Sequence, residues 1–300
     1  MKKILTIILL MSTAVVYGQQ DPLYSQYLNT PIVLNPAYTG INDVFSASAG
    51  YRSQWNGLEG SPTTISMTAH SSFLDNKLGG GLVIIRDEVG ITVNTQINLA
   101  GSYKIEFGDN IFSFGMQFGV NSFKDNNGDL LVRDPNDALF TGSQSFTKTN
   151  FGAGAVLKGS NYFVGLSVPR LMNSKDEVNN VSTELYSRHY YLGLGYVFVL
   201  NTSLSLKTSA LIKAVADSPA SIDFSSSLLF LDKYSAGLMT RNINTFGLIL
   251  GARLNDNLKF NYTFELPTNK SVGTSFSTHE IGLILDLDLF SGQMIKEHYF

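Results

Sequence analysis

Residues 91–105 alternate without a break. Ile91, Val93, Ile97, Leu99, Tyr103 and Ile105 fall on one face, and Thr92, Asn94, Gln96, Asn98, Ser102 and Lys104 on the other. Successive side chains of a β-strand point to opposite faces, so such a run makes a ribbon with one oily side and one polar side. The same pattern returns at 112–121, at 258–266 and in the last run, where Ile281, Leu283, Leu285, Leu287 and Leu289 oppose Asp286 and Asp288. Several of these runs are longer than the ~5–6 residues of an ordinary strand. They match the ~9–11 residues with which a tilted strand crosses a bilayer.

Applied throughout, alternation predicts fourteen strands, at 44–51, 62–74, 79–86, 91–105, 111–123, 150–158, 161–169, 189–200, 203–214, 221–231, 233–241, 244–254, 257–266 and 279–290. The connections sort by parity. Those after the even strands up to the twelfth are short and rest on turn formers such as Asp75-Asn76-Lys77, Gly108-Asp109-Asn110 and Asn255-Asp256. The long ones, 52–61, 124–149, 170–188 and 267–278, all fall in the other class. A single-chain barrel with both termini in the periplasm has short inner turns and long outer loops. A secreted β-sandwich, the competing fold, has no reason to sort them. The fold class is therefore all-β: a transmembrane antiparallel β-barrel of 14 strands over 44–290, with an irregular N-terminal segment at 19–43 and a tail at 291–300.

Composition agrees. Charged residues make up only 15%, aromatics 12%, and the net charge of −3 lends no electrostatic support to nucleic-acid binding. Lys2 and Lys3, the apolar run 4–16 and the small residues Val16 and Gly18 read as a signal peptide over 1–18, since the run is short of the ~20 residues of a spanning helix. With no cysteine, disulfides and thiolate chemistry are excluded. The polar faces carry charges of both signs, among them Lys104, Lys207, Lys213, Asp223, Arg241 and Glu265. A mixed lumen suits internal ion pairs or a plug better than an ion-selective ring.

The segment 19–43 breaks the pattern. Pro22, Pro31 and Pro36 exclude a long helix or central strand. Tyr24, Tyr27, Ile32, Leu34 and Tyr38 make it too apolar for a free linker. It enters the lumen or lies across the periplasmic mouth. The tyrosines, apolar rings with polar tips, favour the lumen.

Catalytic patterns are weak. His70 and His279 stand near serines, but no glycine–x–serine–x–glycine elbow occurs. His279-Glu280 starts a zinc-protease pattern that Leu283 breaks. Asp125–Asp129 spaces oxygens like a calcium loop, yet Leu130 and Asn136 stand where glycine and glutamate are needed, so it reads as a solvated loop. Gly79-Gly80-Gly81 reads as close backbone contact rather than a phosphate loop. Tyr51 and Trp55 suit an aromatic girdle at the outer rim, leaving Arg52 and Gln54 as polar contacts. The expectation is a non-enzyme without cofactor or metal.

Gln20-Asp21-Pro22, Tyr24-Ser25-Gln26-Tyr27, Asn35-Pro36-Ala37-Tyr38 and Gly40 resemble the opening signature of the PorP/SprF family. Tyr51–Trp55, Pro62–His70, Gly79–Gly81, Gly165–Pro169 and His279-Glu280 follow in family order. Tyr262–Glu265 departs from it, where a tyrosine–aspartate ending is expected, as does the short tail. The resemblance implies an outer-membrane component of type IX secretion and gliding motility. Its partners would be a secreted cargo protein with a C-terminal sorting domain, often a gliding adhesin, and other secretion components, in a shell of outer-membrane lipid. The candidate plug or partner contacts are Asp21, Tyr24, Gln26, Tyr27, Asn35, Tyr38, Arg52, Gln54, Trp55, His70, His279 and Glu280. The alternative function is an outer-membrane transporter for small hydrophobic molecules with an N-terminal plug.

Overall fold

The computed structural model describes residues 25–126, 143–178, 181–216, 218–268 and 275–289. Fourteen antiparallel strands close into a barrel. They are β1 (Phe45–Asn56), β2 (Thr63–Phe73), β3 (Leu78–Val89), β4 (Thr92–Phe107), β5 (Asn110–Asn126), β6 (Ser143–Lys158) and β7 (Tyr162–Val168). After a small hairpin of β8 (Ser174–Val178) and β9 (Val181–Tyr186) come β10 (His189–Asn201), β11 (Leu204–Val215), β12 (Ser221–Phe230) and β13 (Tyr234–Arg241). The barrel ends with β14 (Thr245–Arg253), β15 (Leu258–Pro267) and β16 (Ser277–Leu287). β1 pairs with β16 from Phe45↔Leu287 onward, which leaves no edge strand in the barrel.

The burial pattern is inverted relative to a water-soluble protein. Leu99, Met116 and Leu238 are 63–68% exposed, whereas Asn121, Ser113 and Thr263 on the opposite faces are at most 1% exposed. Apolar outside and polar inside is the arrangement that lipid selects.

Three expectations about elements need correction. β1 runs to Asn56, so Arg52, Gln54 and Trp55 belong to a strand and not to the outer loop. A register slip between Ser53 and Asn56, with Trp55 at φ 54°, disguises the alternation there. β5 and β6 extend past 123 and begin before 150, pairing as far as Asn126↔Ser143. These outer ends are mostly polar, so the expected oily face is missing. The stretch 170–188 holds the β8–β9 hairpin, too short and polar to register as strands.

Residues 25–44 run along the inner wall. Pro31 and Pro36 each open a short 3₁₀ turn, Pro31–Val33 and Pro36–Tyr38, where proline's fixed φ suits the first position and its missing N–H is no loss. Asn35 caps the second turn by accepting the Ala37 N–H at 2.9 Å. Ile32, Leu34, Ala37, Tyr38 and Ile41 pack on wall residues Val83, Ala100, Val156 and Phe163. This apolar core therefore lies inside the barrel, between the segment and its wall.

Candidate functional site

The segment satisfies part of its backbone within its own turns, and in a buried place the remaining groups need partners. The lumen wall supplies them. Ser167, Ser113 and Ser102 donate their hydroxyls to the carbonyls of Leu34, Ala37 and Thr39, at 2.7, 2.6 and 2.6 Å. The Asn35 amide donates to the carbonyls of Ala155 and Leu166, at 3.3 and 3.2 Å. The Gly40 N–H donates to Nδ1 of His70 at 3.1 Å. Tyr27 shares a hydrogen bond with Ser209 at 3.1 Å, and the Tyr38 ring meets Phe163 edge-on at 6.0 Å. Burial pushes the Tyr27 hydroxyl up to about 12 and raises that of Tyr38 as well, so both remain neutral.

Wall glycines make room for this path. A methyl group at Gly115 would overlap the backbone of Pro36 and Ala37. At Gly79 it would strike the Thr39 carbonyl, at Gly154 the Asn35 amide, and at Gly282 the Gln26 amide. The Gly79–Gly81 run is thus a close-approach site.

The outer end of the segment sits in a buried charge cluster. Arg52 contacts Glu265 and Glu280, both at 2.8 Å. Arg241 contacts Asp223 at 2.8 Å and Glu265 at 3.4 Å. Three carboxylates oppose two guanidinium groups. The surplus negative charge meets the segment: the Ser25 and Gln26 N–H groups donate to Glu280 at 2.9 and 3.1 Å. Ser25 Oγ donates to Glu265 and accepts from Arg52 and Arg241, at 3.1 and 3.2 Å. The Gln26 side chain donates to the Glu280 carbonyl at 3.0 Å. All five charged residues are at most 7% exposed. Their attraction acts in a low-dielectric wall, and removing either arginine would leave buried carboxylates uncompensated.

The other end is held by lysines. Lys104 donates to the Gly40 carbonyl at 2.6 Å and pairs with Asp43 at 2.7 Å. Lys158 donates to Asn42. On the side of β11–β16, β1 and β2 a cavity of about 670 Å³ remains beside the segment.

Residues 16–285 match the family model described as type IX secretion system membrane protein PorP/SprF. The chain belongs to the PorP/SprF family. It is a β-barrel of the outer membrane in the type IX secretion system. A search of curated proteins finds no match. Among solved structures, the CymD monoaromatic hydrocarbon channel is similar at TM-score 0.53 and 9% identity, covering 90% of this chain and 95% of that one. The Ralstonia pickettii toluene transporter TbuX is similar at 0.50 and 9%, covering 85% and 92%. A Pseudomonas aeruginosa FadL homologue is similar at 0.50 and 11%, covering 85% and 93%. At such identity the likeness concerns the barrel fold alone.

Of the residues singled out from this PorP/SprF sequence, Gln26, Tyr27, Asn35, Tyr38, Arg52, His70 and Glu280 meet in the lumen. His279 does not. One residue before Glu280 on β16, it faces outward, bonded to the Tyr262 hydroxyl at 2.8 Å and Ser277 at 3.0 Å. It cannot touch the segment. Trp55 and Gln54 stand at the outer end of β1, the Trp55 N–H bonded to Thr278 at 3.2 Å and the Gln54 N–H to the Pro62 carbonyl at 2.9 Å. Asp21 and Tyr24 lie outside the described residues, as do positions 127–129 of the calcium-like stretch; Asp125 accepts from Thr92 at 2.7 Å. The residues missed as contacts are Ser25, Glu265, Arg241, Lys104 and Lys158. The available signal was a charge on the polar face of an otherwise oily strand, which marks the lumen without saying which charges converge.

Proposed function

We propose that this PorP/SprF protein is a non-enzymatic barrel that binds one secreted cargo protein, of the adhesin type with a C-terminal sorting domain, and supports its export or surface retention. In this reading residues 25–44 are a plug, and the outer connections with the β8–β9 hairpin are the partner surface. The observation that carries it is the buried charge cluster of β12, β13, β15, β16 and β1 that clasps Ser25 and Gln26 to the wall. In this reading the clasp holds a plug in the bore and leaves the outer surface for binding. The Ser277–His279 pair has Tyr262 and not a carboxylate behind it, which supports the non-enzymatic reading.

The decisive experiment is to delete the gene and compare surface proteins with nutrient uptake. Loss of one large surface protein with normal uptake is expected, and the reverse outcome sinks the reading. For the plug, deleting 21–40 should raise conductance in planar bilayers. Unchanged conductance with lost cargo secretion would move the segment's role to the periplasmic mouth.

A second reading is transport of small hydrophobic molecules. Two of the similar structures are named for toluene and monoaromatic hydrocarbons, and a small apolar cavity of about 40 Å³ lies between Tyr27, Leu28, Phe163 and Leu211. The charges around Arg52 and Glu265 oppose passage of such molecules through the lumen.

A further inference from the structure

We propose that the outer end of β6 is a docking edge, on which an extended strand of the secreted partner adds to the barrel wall. The proposal deepens the cargo reading and rests on it.

Within the bilayer each barrel strand has two neighbours. Above it β6 loses one. On one side β6 pairs with β5 from Ile111↔Lys158 to Asn126↔Ser143. On the other it pairs with β7 only from Lys158↔Phe163 to Ala153↔Val168. Three bonds tie the connection after β7 to the rim of the lumen and keep it from following β6 upward. Gln117 donates to the Pro169 carbonyl at 2.8 Å, the Leu171 N–H to the Phe151 carbonyl at 2.7 Å, and the Met172 N–H to Asn150 at 3.1 Å. Gly152 leaves room for this departure, since a methyl group there would strike the Pro169 carbonyl. Further on, β8 pairs with β9 and not with β6.

The Leu171 bond also fixes which way β6 faces. It uses the Phe151 carbonyl, and backbone groups along a strand alternate between its two neighbours. Thr149, Thr147 and Ser145 therefore also turn their N–H and C=O groups away from β5. Among the described residues none bonds to these groups. The side chains of all three are exposed. Below them lies the lipid-facing pair Phe118 and Phe151, with ring centroids 5.0 Å apart. The free edge, about 20 Å from Ser145 to Phe151, thus rises from the aromatic girdle into water.

Strand edges in water are normally blunted by proline, charge or a bulge. Residues 145–152 contain no proline and no acidic residue, and their register with β5 is unbroken. Their one lysine, Lys148, shares the inward face with Asn150. Unpaired groups at a strand's pitch are matched by another strand. A second copy of this chain does not fit. The membrane holds all copies in one orientation, so a two-fold axis would set two β6 strands parallel. In a parallel pair the two strands bond in unlike ways, which a two-fold axis cannot relate. A partner displayed outside the cell does fit. Its strand would set β-branched or hydroxyl side chains beside Ser145, Thr147 and Thr149, and an apolar one beside Phe146.

The test uses the full chain, folded in detergent micelles, and a dye-labelled, end-capped Thr-Val-Thr-Tyr-Thr-Val-Thr peptide. Binding is read by fluorescence polarisation. A copy of the peptide N-methylated along its backbone should bind about tenfold more weakly. Thr147→Pro removes the central N–H of the edge and leaves the bonds to β5 intact, a change edge strands tolerate. It should weaken binding about tenfold, whereas Thr147→Val should bind like the parent chain. Heat-dependent gel migration confirms folding, and Ser145→Pro repeats the measurement should Thr147→Pro not fold. No binding to the parent chain, or equal binding to a folded proline variant, overturns the proposal. A dimer that Thr147→Pro converts to a monomer overturns it in favour of a second copy. In cells, Thr147→Pro should lose the same surface protein that gene deletion loses, and Thr147→Val should keep it. Retention in the proline variant sinks the docking edge alone. Gene deletion that removes no surface protein sinks the cargo reading instead, whatever the peptide does.

Discussion

The two ends of segment 25–44 are held by opposite chemistry. At the outer end the wall accepts: Glu280 takes two backbone N–H groups from Ser25 and Gln26. At the periplasmic end the wall donates: Lys104 gives its ammonium to the Gly40 carbonyl and to Asp43. The split concerns the backbone's charged partners, since Arg52 and Arg241 also donate to Ser25 Oγ at the outer end and His70 accepts the Gly40 N–H at the inner end. Both clasps rest on a buried wall cation: Arg52 is 3% and Lys104 2% exposed.

The largest effect expected is from Arg52→Ala. It strands Glu280, leaves Glu265 only its longer contact with Arg241, and should lower stability by about 3–5 kcal/mol, measured as a urea midpoint in micelles. The chain contains no cysteine, so a single spin label reports one place. The label at Asn29→Cys should become mobile in this variant and one at Asn42→Cys should not. Mobility at both would mean that the ends are one unit.

Lys104→Met should do the opposite, freeing the label at 42 more than that at 29, with a loss of about 1.5–3 kcal/mol. Gly115→Val sits between the two ends. Its methyls would meet Pro36 and Ala37, and strain of about 1–3 kcal/mol should loosen both labels together. If only one moves, the middle of the segment transmits nothing between its ends. The smallest effect belongs to His279→Ala. Because His279 faces away from the lumen, stability should change by no more than about 0.5 kcal/mol and neither label should respond. Loss of an esterase activity in that variant would instead refute the non-enzymatic reading.

Much of the barrel was legible because lipid imposes a strict rule on each residue singly. Leu99 must face out and Asn98 in, whatever their neighbours do. Where the strands leave the bilayer the rule lapses, which is why Arg52–Asn56 and the outer ends of β5 and β6 went unread as strands. His279 and Glu280 show a second limit. Adjacent in sequence, they were grouped as contacts, yet the pleat sends them to opposite faces, one toward Tyr262 and one toward Ser25.

The sequence by itself determined the alternation, the strand number, the parity of the connections and the presence of a segment unlike the rest. These depend on local chemistry and a period of two. Only the tertiary structure decided that Arg52, Asp223, Arg241, Glu265 and Glu280, drawn from five strands, meet at Ser25. The same holds for the wall glycines that clear its path. Closure of the barrel places β1 against β16 and sets the stagger of every strand between them. Register across a closed sheet is a property of all its strands together, and no single run of residues carries it.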